Sequence, residues 1–236
     1  MRVIVLALVV AAGVMGCAED VDSTDVRTSG VYADFEALAT GNGSTEVSAE
    51  LRVGGARSNT YMRLVGDDTL TASSAGVAKE LGTRSFGDRW WYEVDFDGEE
   101  DATFAIRFDR GDEDEGAPNS EARLPPPFVL SGFASGGDIS RASGVTFTWE
   151  AAETKDFEVR WRVNGDCLLP DSGTISGDGE LFLGDRKFTL REDADDTCDG
   201  EIHIERVREG SVDPAFGEGG EFEAIQRRTV TFRSVP

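Results

Sequence analysis

Trp90-Trp91-Tyr92-Glu93-Val94-Asp95-Phe96 decides the fold class. Trp90, Tyr92, Val94 and Phe96 alternate with Trp91, Glu93 and Asp95, so one face is dry and the other wet. That period of two belongs to a half-buried strand of an antiparallel sheet. The same alternation lies on either side of it. Val47, Ala49, Leu51 and Val53 alternate with Ser48, Glu50 and Arg52; Phe104, Ile106 and Phe108 alternate with Thr103, Arg107 and Asp109. Further on come Val145, Phe147 and Trp149; Phe157, Val159, Trp161 and Val163; Phe188 and Leu190; Ile202 and Ile204; and Val230 and Phe232. Gly66-Asp67-Asp68, Gly87-Asp88 and Asp97-Gly98 separate these runs. Glycine supplies positive φ and aspartate folds onto its own backbone, so these are turns. Regular strands with turn signals between them predict an all-β sandwich or barrel.

The polar stretch from Arg110 to Ser120 and the extended Leu124-Pro125-Pro126-Pro127-Phe128 divide the pattern. Three prolines donate no ladder hydrogen bonds, which suits entry to a second unit. The expectation is two immunoglobulin-like antiparallel β-sandwich domains over residues 30–117 and 118–236. One larger sandwich is the alternative.

The N-terminus sets the compartment. Val3 to Met15 is uncharged but spans only thirteen residues. A spanning helix needs about 20 apolar residues. A basic start at Arg2, a short apolar centre and small residues at the end follow the layout of a secretory signal peptide, residues 1–16. The closing Val14-Met15-Gly16-Cys17 resembles a bacterial lipobox. The resemblance implies a diacylglycerol thioether and an acylated amine (palmitate or similar) on Cys17, with residues 17–29 as a lipidated flexible leader. Several acyl chains together anchor a protein firmly. The whole chain is similar to uncharacterised β-sandwich envelope lipoproteins of Gram-negative bacteria such as myxobacteria. This implies a cell-envelope location, and Ala18 after the lipid-bearing cysteine implies the outer membrane.

Cys167 and Cys198 then remain. Outside the cytoplasm two thiols in one chain form a disulfide, here worth about 3–4 kcal/mol through loop-closure entropy. Trp161 precedes both cysteines instead of lying between them, so the likeness to immunoglobulins is one of architecture only.

The formal net charge is −23, and loss of residues 1–16 removes Arg2 and no acid. Such a chain repels phosphate backbones, which excludes nucleic acid as a partner. It also predicts that the body stands off anionic lipid.

No catalytic residue stands out. His203 alternates with Ile202 and Ile204 on the outward face of a strand. No G-x-S-x-G or phosphate loop occurs, and one histidine does not make a zinc site. Asp193, Asp195 and Asp199 have partial calcium-loop spacing, broken by Arg206 where a glutamate is required; Asp112 to Glu115 is a second acidic cluster. Trp91, on the wet face of its strand, is a candidate binding residue. These features predict a non-enzymatic binding or structural module that needs no cofactor, with a membrane anchor and an envelope protein or glycan as partner. A Ca2+-dependent adhesion module and a carboxylate hydrolase are the alternatives.

Overall fold

A computed structural model describes residues 19–111, 115–175 and 177–236. The first half contains β1 (Glu19–Asp22), β2 (Val31–Ala39), β3 (Ser44–Val53), β4 (Thr60–Arg63), β5 (Thr69–Ser74), β6 (Val77–Glu80), β7 (Gly82–Phe86), β8 (Arg89–Asp97), β9 (Thr103–Asp109) and β10 (Ala117–Arg123). The second contains β11 (Gly137–Ser140), β12 (Val145–Thr148), β13 (Glu158–Gly165), β14 (Asp171–Ile175), β15 (Glu180–Leu183), β16 (Cys198–Glu209) and β17 (Gly220–Val235). Apart from short 3-10 turns, no helix occurs among the described residues. The chain is an all-β sandwich.

One sheet runs the length of the molecule in the order β1-β4-β3-β2-β17-β16-β13-β14, with β8 also on β3, β7 on β8 and β11 on β17. A four-stranded sheet, β10-β9-β5-β6, covers its first half, and the β12-β15 ladder covers its second. Two cores lie between these layers. Phe35, Tyr92, Phe104, Ile106 and Phe108 fill the first; Phe147, Trp161, Val163, Ile202 and Ile204 fill the second.

Hairpin neighbours pair antiparallel, as their alternation predicts. Three pairings are parallel instead: β1 with β4, β11 with β17, and β17 with β2. These join strands that no tight turn connects, so hairpin signals do not reveal them. The cores also share chain. Phe216, Phe222 and Ala224 belong to the first core, although they lie near the C-terminal end. The boundary expected between residues 117 and 118 falls at the first residues of β10.

β17 links the two cores. Its inward side chains run Phe222, Ala224, Gln226, Arg228, Val230 and Phe232, an apolar stripe with a polar break at the middle. On β16 the inward series Ile202, Ile204, Arg206, Arg208 changes character at the same level, since Arg206 pairs with Gln226 and Ile204 with Arg228. The proline segment crosses this polar layer. Prolines offer carbonyls and no N–H, and the arginines supply the donors. Arg208 Nη1 donates to Leu124 O at 2.8 Å, Arg206 Nη1 to Pro126 O at 3.0 Å and Arg228 Nε to Phe128 O at 2.7 Å.

Arg206, with its side chain 2% exposed, also pairs with Asp178 at 2.8 Å. Its guanidinium lies 4.9 Å from the Phe128 ring centroid and 5.2 Å from that of Phe157. Burial pushes the Asp178 carboxyl up, but the Ala152 amide, the Trp149 indole and Arg206 outweigh it and hold it below its ordinary range.

The segment expected to be a flexible leader is folded from Glu19 onward. β1 pairs with β4, Ser23 is fully buried and Thr28 nearly so. Arg63 binds Asp22 at 2.6 Å, and Arg110 donates to the carbonyls of Ser23 and Val26. The acidic run Glu19–Asp22 carries one apolar residue, so its strand comes from these partners and not from its own pattern.

Candidate functional site

The outward face of the first half of the long sheet carries a groove of about 270 Å³, lined by Asp34, Glu36, Ser48, Glu50, Arg89 and Trp91. Strand pairing builds it. Ala49 lies opposite Tyr92, which sets Glu50 beside Trp91 on the outer face. Asp34 lies opposite Glu50, and Ser48 lies opposite both Glu36 and Glu93, forming a row that continues to Glu223.

Like charges directly opposite one another destabilise a sheet, and two arginines relieve the pair at the centre. Arg52 Nη2 binds Asp34 at 2.8 Å and Glu50 at 2.5 Å; Arg89 Nε binds the other Glu50 oxygen at 2.5 Å. Trp91 stands at the rim, with its Nε1 donating to Glu93 Oε2 at 2.9 Å. Arg84 holds the second Glu93 oxygen at 2.7 Å.

The electrostatics divide these acids. The Arg84 hydrogen bond, helped by the Trp91 indole, keeps Glu93 below the usual carboxyl range. Burial pushes Asp34 up, with Arg52 opposing. Burial also raises Glu36; Arg227 opposes this, while Glu205 and Glu223 add to it. The groove therefore offers an aromatic wall, fixed acceptors and guanidinium donors. That mixture suits a neutral polar ligand with many hydroxyls.

Of the residues singled out in the sequence, Trp91 lies in this groove. Trp90, on the opposite side of β8, is covered by Arg63 at 5.5 Å from its ring centroid. The Cys167–Cys198 disulfide is formed, with Cα atoms 5.7 Å apart. It staples the ends of the neighbouring strands β13 and β16 within one sheet. His203 lies on the outer face, bonded to Thr229 at 2.9 Å and Glu201 at 3.1 Å.

The alternative reading of Asp193, Asp195 and Asp199 as a calcium site finds no assembled ligand set. Asp199 is held in the ladder opposite Arg233, Asp193 sits in a separate turn with φ 60°, and no group of three or more His, Cys, Asp or Glu among the described residues is placed to hold a metal. Cys17 and Asp112–Asp114 lie outside the described residues. Asp34, Glu36, Glu50 and Arg89 carry no motif. Their meeting depends on the order β8-β3-β2, and only the Gly41–Gly43 turn between β2 and β3 announces part of it.

No family model and no curated protein matches the chain. Among solved structures, a cytokine receptor complex is similar at 13% identity over 82% of this chain and 94% of that one, with a TM-score of 0.25. The C-terminal 282-residue fragment of intimin, in complex with the intimin-binding domain of its translocated receptor, is similar at 9% identity over 84% of this chain and 61% of that one, with a TM-score of 0.27. Likenesses at this level carry neither a fold family nor a function to this chain. An all-β sandwich with an open polar groove is compatible with a binding module that performs no chemistry.

Proposed function

We propose that this protein is a lipid-anchored, non-enzymatic binding module of the cell envelope, held in the outer membrane through Cys17, whose groove around Trp91 takes a glycan segment. The observation that carries the binding reading is the Trp91 indole at the rim of a row of fixed acceptors and guanidinium donors. An indole supplies a flat apolar surface for a sugar ring, and the flanking polar groups meet its hydroxyls. Asp34 and Glu50 are tied to arginines, which favours holding a ligand over moving protons. The lipobox-like Val14–Cys17 supports the anchor.

Titration of the tryptophan fluorescence of the full chain with soluble envelope oligosaccharides tests the groove. The expected result is a saturable change, weakened about tenfold, or about 1.4 kcal/mol, in Trp91→Ala. A titration that Trp91→Ala leaves unaltered overturns the assignment. Mass spectrometry of the protein taken from membranes tests the anchor: the expected product begins at an acylated Cys17, and one that retains Met1 refutes it.

A further inference from the structure

We infer that the β7–β8 hairpin tip is a second, direct contact with the bilayer, in which the Phe86 ring enters the headgroup layer between the ion-paired side chains of Arg84 and Arg89; this rests on the Cys17 anchor proposed above. Phe86 is 84% exposed, the most of any large apolar side chain among the described residues. It lies opposite Arg89 across a two-residue turn whose Gly87 has φ 61°. Glycine with positive φ at the first central position makes a tight hairpin, so Phe86 is presented on a short, fixed tip. The side chains of Arg84 and Arg89 are each 58% exposed while paired with Glu93 and Glu50.

Strand direction places this tip at the end where the tether begins. β1 and β4 run parallel from Glu19 and Thr60, and β4 and β8 both run antiparallel to β3. The starts of β1, β4 and β8 therefore share one end of the sheet with the end of β3. Arg89 lies 5.9 Å from the ring centroid of Tyr61, the ladder partner of Asp20. One residue, Ala18, separates the lipid-bearing Cys17 from β1. Two residue steps of extended chain reach about 7 Å, so an anchor on Cys17 brings this end of the sheet against the membrane. Exposed Arg57, in the β3–β4 turn, lies at the same end.

The negative charge of the whole body opposes broad contact with anionic lipid. Asp88 in the turn, and the pairing of Arg84 with Glu93 and of Arg89 with Glu50, leave the tip without surplus positive charge, so the local contact is made by the aromatic ring, which settles among headgroups, with the arginine stems beside it.

The test uses full-length protein purified from membranes and reconstituted into phosphatidylethanolamine–phosphatidylglycerol vesicles doped with nitroxide-bearing lipid. A fluorophore is attached through Phe86→Cys or, as a matched control, through Val129→Cys. Both sites are exposed, 84% and 81%, and the disulfide protects Cys167 and Cys198 from the label. Val129 follows Phe128, which Arg228 binds eight residues along β17 from Gly220, roughly 26 Å farther from the anchored end. The expected result is quenching several-fold stronger at 86 than at 129. Equal quenching at the two sites, with lipid on Cys17 established by mass spectrometry, overturns the tip contact and leaves the anchor standing. Absence of lipid on Cys17 overturns both. Label–label quenching at 86 without vesicles identifies a second copy of the chain as the occupant and also overturns the proposal.

Discussion

Arg206 holds its charge where water is excluded, and it does so through one acid and three backbone carbonyls, those of Pro126, Pro127 and Glu150. Removing the acid strands the cation. Asp178→Ala is expected to lower the unfolding free energy by about 3–5 kcal/mol, measured by urea titration, because breaking a buried pair leaves an uncompensated charge. The pH dependence follows in sign. The folded Asp178 carboxyl lies below its ordinary range, so its stabilisation is complete above the unfolded-chain value of about 3.9 and is lost as pH falls through the folded value. Glu36 has the opposite sign, since burial raises it. Its contribution is complete below the unfolded value of about 4.3 and disappears as pH rises through the folded value. Glu36→Gln should therefore raise Tm near pH 7 and leave it unchanged near pH 4, as read by calorimetry. Trp91 and the two cysteines are legible in the sequence, because a wet-face tryptophan and a lone thiol pair are unusual in themselves. Glu36 and Asp178 are two among 46 acids, and only burial distinguishes them.

Among the elements, the strands with large alternating side chains are those the sequence announces: β8, β9, β12 and β13. β2 alternates as regularly, but alanines hold three of its five buried positions and its apolar signal is weak. β17 is hidden for another reason. Gln226, Arg227 and Arg228 interrupt its apolar series, so only Val230 and Phe232 read as strand. That interruption serves the proline segment above it. Arg228→Met should free the Phe128 carbonyl and cost about 1–3 kcal/mol, with faster amide exchange measured across residues 128–131. The disulfide closes a loop that contains β14 and β15. Replacing both cysteines with alanine should cost about 3–4 kcal/mol in a denaturant melt, as expected for a closed loop of this length.

For the molecule as a whole, composition and turn spacing fix the all-β class, while the sharing of one sheet by two cores stays hidden because it depends on pairing between opposite ends of the chain. β17 pairs with β2 from Gly220–Gln226 against Ala33–Ala39 and continues into the second core. A fragment of residues 19–123 lacks Phe216, Phe222 and Ala224 and should show no cooperative melt, whereas the full chain should unfold in one calorimetric transition. The strands that join the halves also lie along the line from Glu19 to Val235. A drag force on the far half, resisted at Glu19, loads the rungs of each ladder together in shear instead of peeling them open one by one. The β17–β2 seam resists such a pull along its whole overlap. β1 has only Glu19–Asp22 against Thr60–Arg63, clamped by Arg63 on Asp22, so under tension the first part to yield is this short outer strand, and if the proposed anchor on Cys17 holds, its release lengthens the link to the membrane before either core is disturbed.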